Sequence, residues 1–289
     1  VQKAKIGPAD VLYVQNKDNS LFRLRYRFDM GTWNDKKLSL AAQYIQFLGT
    51  DKMSTEDITK AFYKIACSFN VSASTEYTTV TIEGLQENFS KAVQLFEDVL
   101  KNCKADEDAL KSLKARLIKS RTDAKLNKGA IMSGLNNYAR YGSNNPFNYT
   151  LSDDELNNIT STELLNSLHS LNSNKHSILY YGPQPLAQFT AGLKSMHSIP
   201  AAFKPANAKV KFTFAEQTKN QVLFADYNMV QAEIRWVRNT APYSADKEPV
   251  IDMFNNYFGG GMGSLVFQTI RESKALAYST FAFYAKPDK

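Results

Sequence analysis

Residues that build metal centres and disulfide frameworks are scarce in this chain, which has two cysteines and three histidines among 289 residues. Cys67 and Cys103 lie in apolar helical patterns and lack CxxC spacing, so we expect two buried free thiols. No apolar run approaches the roughly 18 residues of a membrane span, so no transmembrane helix is predicted. The GxSxG nucleophile elbow and the GxxxxGK phosphate loop are also missing, which excludes two common kinds of catalytic site.

The few histidines are poorly spaced for binding a metal. His169, His176 and His197 do not fall three or four residues apart, the helical spacing that places two imidazoles on one face. We expect them to have structural roles at surface or partly buried positions. The formal charge of +7 is scattered, and its densest group lies on one predicted helix between Lys111 and Lys128. We interpret that group as a solvated helix face and rank binding of a nucleic acid or other anion last.

What the chain does have is the periodicity of an α+β fold. Leu21 to Asp29 alternates apolar residues with arginines, as a strand with one buried face does. Further strands are predicted near residues 68–73, 77–82 and 178–181. Apolar stripes predict helices over residues 37–48 and 87–103, and capping residues predict the start of four more at Ser54, Asp106, Ser152 and Thr160.

Beyond residue 207 the order of strands and helices predicted for the first part of the chain returns, which predicts a duplicated unit. Four prolines punctuate residues 183–207, a composition typical of an interdomain connection. Beyond it, the helix that ends at Gly259 parallels the one that ends at Gly49, 210 positions earlier. We therefore predict two domains, 1–200 and 208–289, each a mixed or antiparallel sheet with helices packed on one face, the second incomplete. Its strands are predicted near Val210–Phe214, Val222–Ala225, Ala232–Val237 and Ala277–Ala285.

The most informative segment is a glycine-rich stretch followed by an arginine and a tyrosine. Its turn contains Gly259, Gly260, Gly261 and Gly263, and Ser264 can cap the helix that follows. Arg271 stands at the predicted end of that helix, and Tyr278 follows seven residues later. This segment resembles the zinc-free half of pitrilysin/insulinase-family peptidases, the inverzincins. The resemblance implies that Arg271 and Tyr278 hold the substrate backbone in the zinc site of the other half. Ala275 departs from it, since the family often has glycine there.

The same resemblance predicts that this segment has no zinc site of its own. Active members carry His-x-x-Glu-His on the helix before a Gly-Thr, where two imidazoles hold zinc and the glutamate polarises a water. Aligned on Gly49-Thr50, those positions hold Leu40, Gln43 and Tyr44, none of which suits the role. The family's third ligand, a glutamate on a later helix, is also absent, since no glutamate lies between Glu107 and Glu155.

The resemblance thus implies a substrate-binding, non-catalytic half of a zinc metalloendopeptidase for unfolded or small polypeptides. Zinc would belong to a catalytic half on the same chain or on a homologous subunit, and this segment alone is predicted to be inactive. The alternative is a degenerate family member that acts as a scaffold or assembly subunit. A peptide substrate and the catalytic half are the implied partners, with no nucleic acid and no membrane span. The compartment stays open, with the bacterial periplasm or cell envelope compatible with the family.

Overall fold

The protein is described here by a computed structural model, which covers residues 1–240 and 242–286. Residue 241 and the last three residues of the predicted second domain lie outside this description. The chain forms two compact units. The first contains residues 1–215 and 219–237, and the second contains residues 216–218 and the chain from residue 238 onward.

The first unit is built on a six-stranded mixed sheet. Its strands are β1 (Gln2–Ile6), β2 (Ala9–Gln15), β3 (Leu21–Phe28), β4 (Cys67–Ala73), β5 (Thr78–Leu85) and β6 (His176–Gly182). Their order across the sheet is β1-β2-β6-β3-β5-β4. Only β2 and β6 run parallel, and the other neighbours are antiparallel. The α+β fold with helices and a mixed sheet, predicted from the sequence, is confirmed.

Within the described residues, the first unit contains eight α-helices, and the first, second, third and eighth of them pack against strands of this sheet. The eight are α1 (Leu38–Tyr44), α2 (Thr55–Lys64), α3 (Phe89–Asn102), α4 (Glu107–Ala124), α5 (Lys128–Tyr141), α6 (Asp153–Asn158), α7 (Ser161–His169) and α8 (Leu186–Met196). The alternation in β3 sorts its side chains: Phe22, Leu24, Tyr26 and Phe28 are buried, and the arginines between them are exposed. Phe22, for example, packs edge-on against Phe89 of α3 at 5.0 Å. Burying one face leaves the other to solvent.

Helix starts were predicted well because a cap is a local feature. The side chains of Ser54, Ser152 and Thr160 each accept a hydrogen bond from the backbone amide of the third helical residue. The carboxylate of that third residue accepts one from the backbone amide of the cap residue, so three capping boxes are confirmed. Asp106 caps α4 as predicted, by accepting from the Ala109 amide at 2.8 Å. These groups satisfy amides that the first helical turn leaves without intrahelical acceptors.

The proline-rich stretch is more ordered than its composition indicated. Within residues 183–207 the chain forms α8, whose Phe189 and Leu193 are fully buried. Phe189 stacks on Tyr180 of β6 with ring centroids 4.1 Å apart. The interpretation of the whole stretch as a connection was therefore wrong in this part, because a helical apolar spacing between the prolines joins it to the core.

The predicted strands beyond β6 are also wrong. Within residues 1–240 and 242–286, the structure has no strand at Val210–Phe214, Val222–Ala225, Ala232–Val237 or Ala277–Ala285. Alternation decides which side chains share a face, but a strand also needs a neighbouring chain for its backbone amides and carbonyls. These segments make no row of backbone hydrogen bonds to a neighbouring strand, and Val222 and Trp236 are 94% and 85% exposed. The duplication around Gly49 and Gly259 therefore stays a prediction.

The second unit consists of helical segments and extended chain. Helix α9 (Glu248–Phe258) begins with proline at its first turn and ends at the glycine-rich stretch. After that stretch the chain is helical again and continues as a π-helix over Phe267–Ser273. No helix in the described part of the chain is long and apolar enough to cross a membrane.

Candidate functional site

The glycine-rich turn needs glycine at two positions for different reasons. At Gly259, a Cβ would overlap the carbonyl of Ala282, because the returning chain passes directly against the end of α9. At Gly261 the backbone has φ +87°, a conformation that residues with a side chain rarely adopt. Gly260 is nearly as tight, with a Cβ position 2.8 Å from the Asn255 carbonyl oxygen, whereas Gly263 has open space around it.

Ser264 starts the next helix, as its position predicted. Its hydroxyl donates to the Gly261 carbonyl at 2.8 Å and accepts from the Phe267 amide at 3.4 Å. Ser264 is also buried, which fixes this turn. The π-helix that follows is wound more widely than an α-helix, a rare geometry often found at functional sites.

The structure brings Arg271 and Tyr278 together. The Arg271 guanidinium lies over the Tyr278 ring, 5.4 Å from its centroid, and over the Phe267 ring at 4.7 Å. One guanidinium nitrogen is 3.3 Å from a Glu272 carboxylate oxygen. Tyr278 is 85% exposed, so its hydroxyl is available to a ligand. The arrangement thus offers a cation and a phenol as neighbouring hydrogen-bond donors on a surface; their role in substrate binding stays a prediction.

Two features hold the segment that carries Tyr278. Ala275 turns the chain with φ +49°, the left-handed conformation for which glycine is favoured. Farther on, the Asn255 side chain of α9 accepts from the Tyr284 amide at 2.6 Å and donates to the Tyr284 carbonyl at 3.1 Å. The Asn255 side chain thus takes the place of a strand partner at Tyr284, so the segment stays extended although no neighbouring strand pairs with it there.

Two of the three positions that correspond to the zinc motif belong to the core of the first unit. Leu40 and Tyr44 are buried, and the Tyr44 hydroxyl both donates to the Asp106 carbonyl and accepts from the Asp106 amide, each at 2.8 Å. Burial raises the pKa of Tyr44. Gln43 donates back to the Ser39 carbonyl within the same helix at 3.1 Å. Among the described residues, no three His, Cys, Asp or Glu side chains are grouped to hold a metal ion.

Both cysteines are buried and free, as predicted. The Cys103 sulfur lies 3.4 Å from Nε2 of His169, a contact that the sequence did not reveal. Burial raises the pKa of the Cys103 thiol to about 11. The thiol is therefore protonated at neutral pH, and this pair has a structural role rather than that of an activated nucleophile.

The sequence also missed a buried polar cluster. His176, at the start of β6, and His197, which follows α8, contact each other through their Nε2 atoms, and His197 contacts Glu97 of α3. The residues are 21 and 100 positions apart, so no local spacing could have linked them. Only the packing of α3 and α8 on the same face of the sheet brings them together.

The chain is similar in sequence to one family over two consecutive stretches. Residues 40–144 match the model described as insulinase (peptidase family M16), and residues 168–288 match that of the peptidase M16 inactive domain. A curated relative, the uncharacterized zinc protease YmxG of Bacillus subtilis, is 26% identical over 251 residues. That alignment covers 84% of this chain and 59% of the relative, so the chain spans little more than half of its length.

Solved structures show the same fold. The peptidase M16 inactive domain from Pseudomonas fluorescens superposes with a TM-score of 0.66 and 16% identity, covering 97% of this chain and 69% of that one. The periplasmic protease PqqL of Escherichia coli gives a TM-score of 0.63 at 13% identity, covering 74% of this chain and 26% of that one. Together, the two matched stretches, the zinc protease relative and the shared fold place the chain in the insulinase family of peptidases, M16.

Proposed function

We propose that this chain is the zinc-free, substrate-binding half of a zinc metalloendopeptidase that cleaves unfolded or small polypeptides. The observation that carries the proposal is the contact between Arg271 and Tyr278, exposed on a stretch that matches the M16 inactive domain. The core position of Leu40 and Tyr44 agrees with it, since the zinc-motif helix here is used for packing.

The catalytic half would supply zinc, held by the family's histidines and glutamate, to activate water. This chain would supply hydrogen bonds. The Tyr278 hydroxyl donates to the oxygen of the scissile carbonyl, where negative charge develops, and the Arg271 guanidinium binds a neighbouring backbone carbonyl or a carboxylate. Stacking over Phe267 and Tyr278 restricts the guanidinium, so less conformational entropy is lost on binding.

The first partner to test is a homologous subunit or a segment of the same chain that carries His-x-x-Glu-His. We also propose a location in the bacterial periplasm or cell envelope, since the similar protein PqqL is a periplasmic protease, and cell fractionation would check this location.

Steady-state cleavage of an internally quenched unfolded peptide by the complete two-half protein tests the function. A donor that acts on developing charge affects the transition state more than the bound substrate, so Tyr278→Phe should lower kcat by about 100-fold with little change in KM. Unlike Tyr278→Phe, Arg271→Ala should raise KM, because the guanidinium binds the substrate. Tyr257→Phe, a change to an exposed tyrosine on α9, is the matched control and should leave both constants unchanged.

Unchanged kcat in Tyr278→Phe would remove this role from the site. If no subunit or segment with His-x-x-Glu-His copurifies with the protein, the scaffold interpretation replaces the peptidase half.

A further inference from the structure

The uncovered face of the sheet carries a row of three arginines. Arg23, Arg25 and Arg27 occupy alternate positions of β3, near the middle of the sheet, and all three are exposed, whereas the residues between them are buried under the helices. Alternate residues of a strand are about 6.8 Å apart. We call this row the arginine ladder.

A strip of apolar side chains runs beside the ladder on the same face. In the register of β3 with β6, Arg25 lies opposite Leu179 and Arg23 opposite Tyr181. Leu12 and Val14 of β2 continue the strip beyond Leu179 and Tyr181. Val14 is 40% and Tyr181 44% exposed, which leaves apolar area in water next to the cations. On the other side, β5 places Thr79, Thr81 and Glu83 against the ladder.

The charges of this face do not cancel. Arg23 is paired with Glu83, with the Arg23 Nε 2.7 Å from a carboxylate oxygen, and Arg27 lies over the Tyr77 ring at 4.6 Å. Arg25, between them, makes no ion pair within the described residues. On β1 of the same face, Lys5 pairs with Asp10 at 3.4 Å, and Lys3 adds a further cation. On the strands of this face, five cations thus stand against two carboxylates, and Asp29, just after β3, is paired with Lys175 at 3.5 Å.

We infer that this face is a docking surface for acidic, extended polypeptide segments that also carry aliphatic or aromatic residues. An extended peptide repeats its side chains at the same spacing as the ladder, so carboxylates on alternate residues meet successive guanidiniums. Guanidinium binds carboxylate through two parallel hydrogen bonds, which favours this pairing over binding by lysine. Apolar side chains of the same segment cover the strip of Leu12, Val14, Leu179 and Tyr181.

The strip is also what favours a polypeptide over a nucleic acid. Single-stranded nucleic acids are held by aromatic residues interleaved with cations, on which successive bases stack. Here the side chains beside Arg25 are Leu179 and Thr81, and Tyr181 is the single aromatic of the strip. The inference rests on the proposed function in one respect: acidic unfolded polypeptides are the substrate class that the proposed peptidase would cleave.

Fluorescence anisotropy of the 289-residue chain with labelled short peptides tests the inference. A peptide of glutamate, leucine and serine should bind more tightly than the same peptide with glutamine or with lysine in place of glutamate. Replacing two cations of the ladder, in Arg25→Gln with Arg27→Gln, should raise the Kd for the acidic peptide by about tenfold. The affinity should also fall as salt rises, because the surface is exposed to counterions.

The matched control is Lys111→Gln with Lys119→Gln, which removes the same charge from exposed positions of α4 and should change the Kd by less than about twofold. If the double arginine variant proves unfolded by circular dichroism, Arg25→Gln alone is used. Equal binding of the acidic and glutamine peptides, or an equal loss in the α4 control, overturns the inference. So does tighter binding of an oligothymidylate of the same charge, which would indicate a nucleic-acid surface.

This outcome is separable from that of the proposed function. Peptide binding that depends on Arg25 while Tyr278→Phe leaves cleavage unchanged would keep the docking surface and reject the catalytic role of Tyr278. If Tyr278→Phe impairs cleavage while peptide binding does not depend on Arg25, the docking surface alone is rejected.

Discussion

His176 and His197 face each other in the core of the first unit, with their Nε2 atoms 3.0 Å apart. His176 Nδ1 lies 2.8 Å from the Asn174 carbonyl, which only accepts, so the ring carries its proton on Nδ1 and accepts at Nε2. His197 must then donate from its Nε2. On its other side, His197 Nδ1 is 2.7 Å from a carboxylate oxygen of Glu97.

A second proton on His176 would place two N–H groups against each other. Burial lowers the pKa of His176 to about 4; the Asn174 carbonyl and Asp29 oppose this shift, and His197 adds to it. The unfolded chain takes up this proton near pH 6.5. The unfolded state therefore binds more protons between these values, and the free energy of unfolding must fall as the pH is lowered through this range.

We predict a loss of stability on the order of 3 kcal/mol between pH 6.5 and pH 4 from this residue. Urea unfolding at a series of pH values measures it, and His176→Gln should flatten the profile in that window. His169→Gln is the control and should leave the slope in place. Asp57, Glu155 and Glu163, whose pKa values are lowered by hydrogen bonds at helix starts, add their own loss at lower pH. If the free energy of unfolding of His176→Gln falls just as steeply between pH 6.5 and pH 4, the assignment of this loss to His176 is contradicted.

Ala275 holds a backbone conformation that suits glycine better. The left-handed conformation costs an L-residue roughly 1–2 kcal/mol, partly offset by the greater entropy that glycine loses on folding. Ala275→Gly should therefore stabilise the turn by about 0.5–1 kcal/mol. Slower hydrogen exchange of the Leu276 amide, which donates to the Ile270 carbonyl at 2.9 Å, would report it.

Ala277→Gly is the comparison for this turn, since Ala277 is not among the residues with positive φ. It should speed exchange or leave it unchanged. Faster exchange in Ala275→Gly would mean that the turn does not constrain the segment that carries Tyr278.

Tyr44 should be needed for stability rather than for metal binding. Removing its hydroxyl in Tyr44→Phe leaves the amide and carbonyl of Asp106 without this partner, which should lower the free energy of unfolding by about 1–2 kcal/mol. Tyr63→Phe, at an exposed position, should cost almost nothing. Urea unfolding of both variants measures the difference, and equal values would show that the bond to Asp106 contributes nothing.

Several elements could be predicted because their cause lies within a few residues. The three capping boxes join residues three positions apart, and the alternation of β3 needs only that one face be buried. The same is true of Gly261 and Ser264 in the glycine-rich turn, where local backbone geometry decides the residue, whereas Gly259 is required by the distant carbonyl of Ala282. Arg271 and Tyr278 also lie close enough in sequence for their meeting to be expected.

Other features required distant partners. His176 finds His197 only because α8 packs beside α3, and Tyr44 finds Asp106 across 62 positions. The segments beyond β6 alternate as strands do but lack a pairing neighbour among the described residues. The absence of a zinc motif at Leu40, Gln43 and Tyr44 could be read from the sequence alone, whereas tertiary packing decided what those positions do instead. Periodicity and caps are short-range properties of the chain, whereas hydrogen-bond partners, buried charges and an open sheet face depend on which elements pack together.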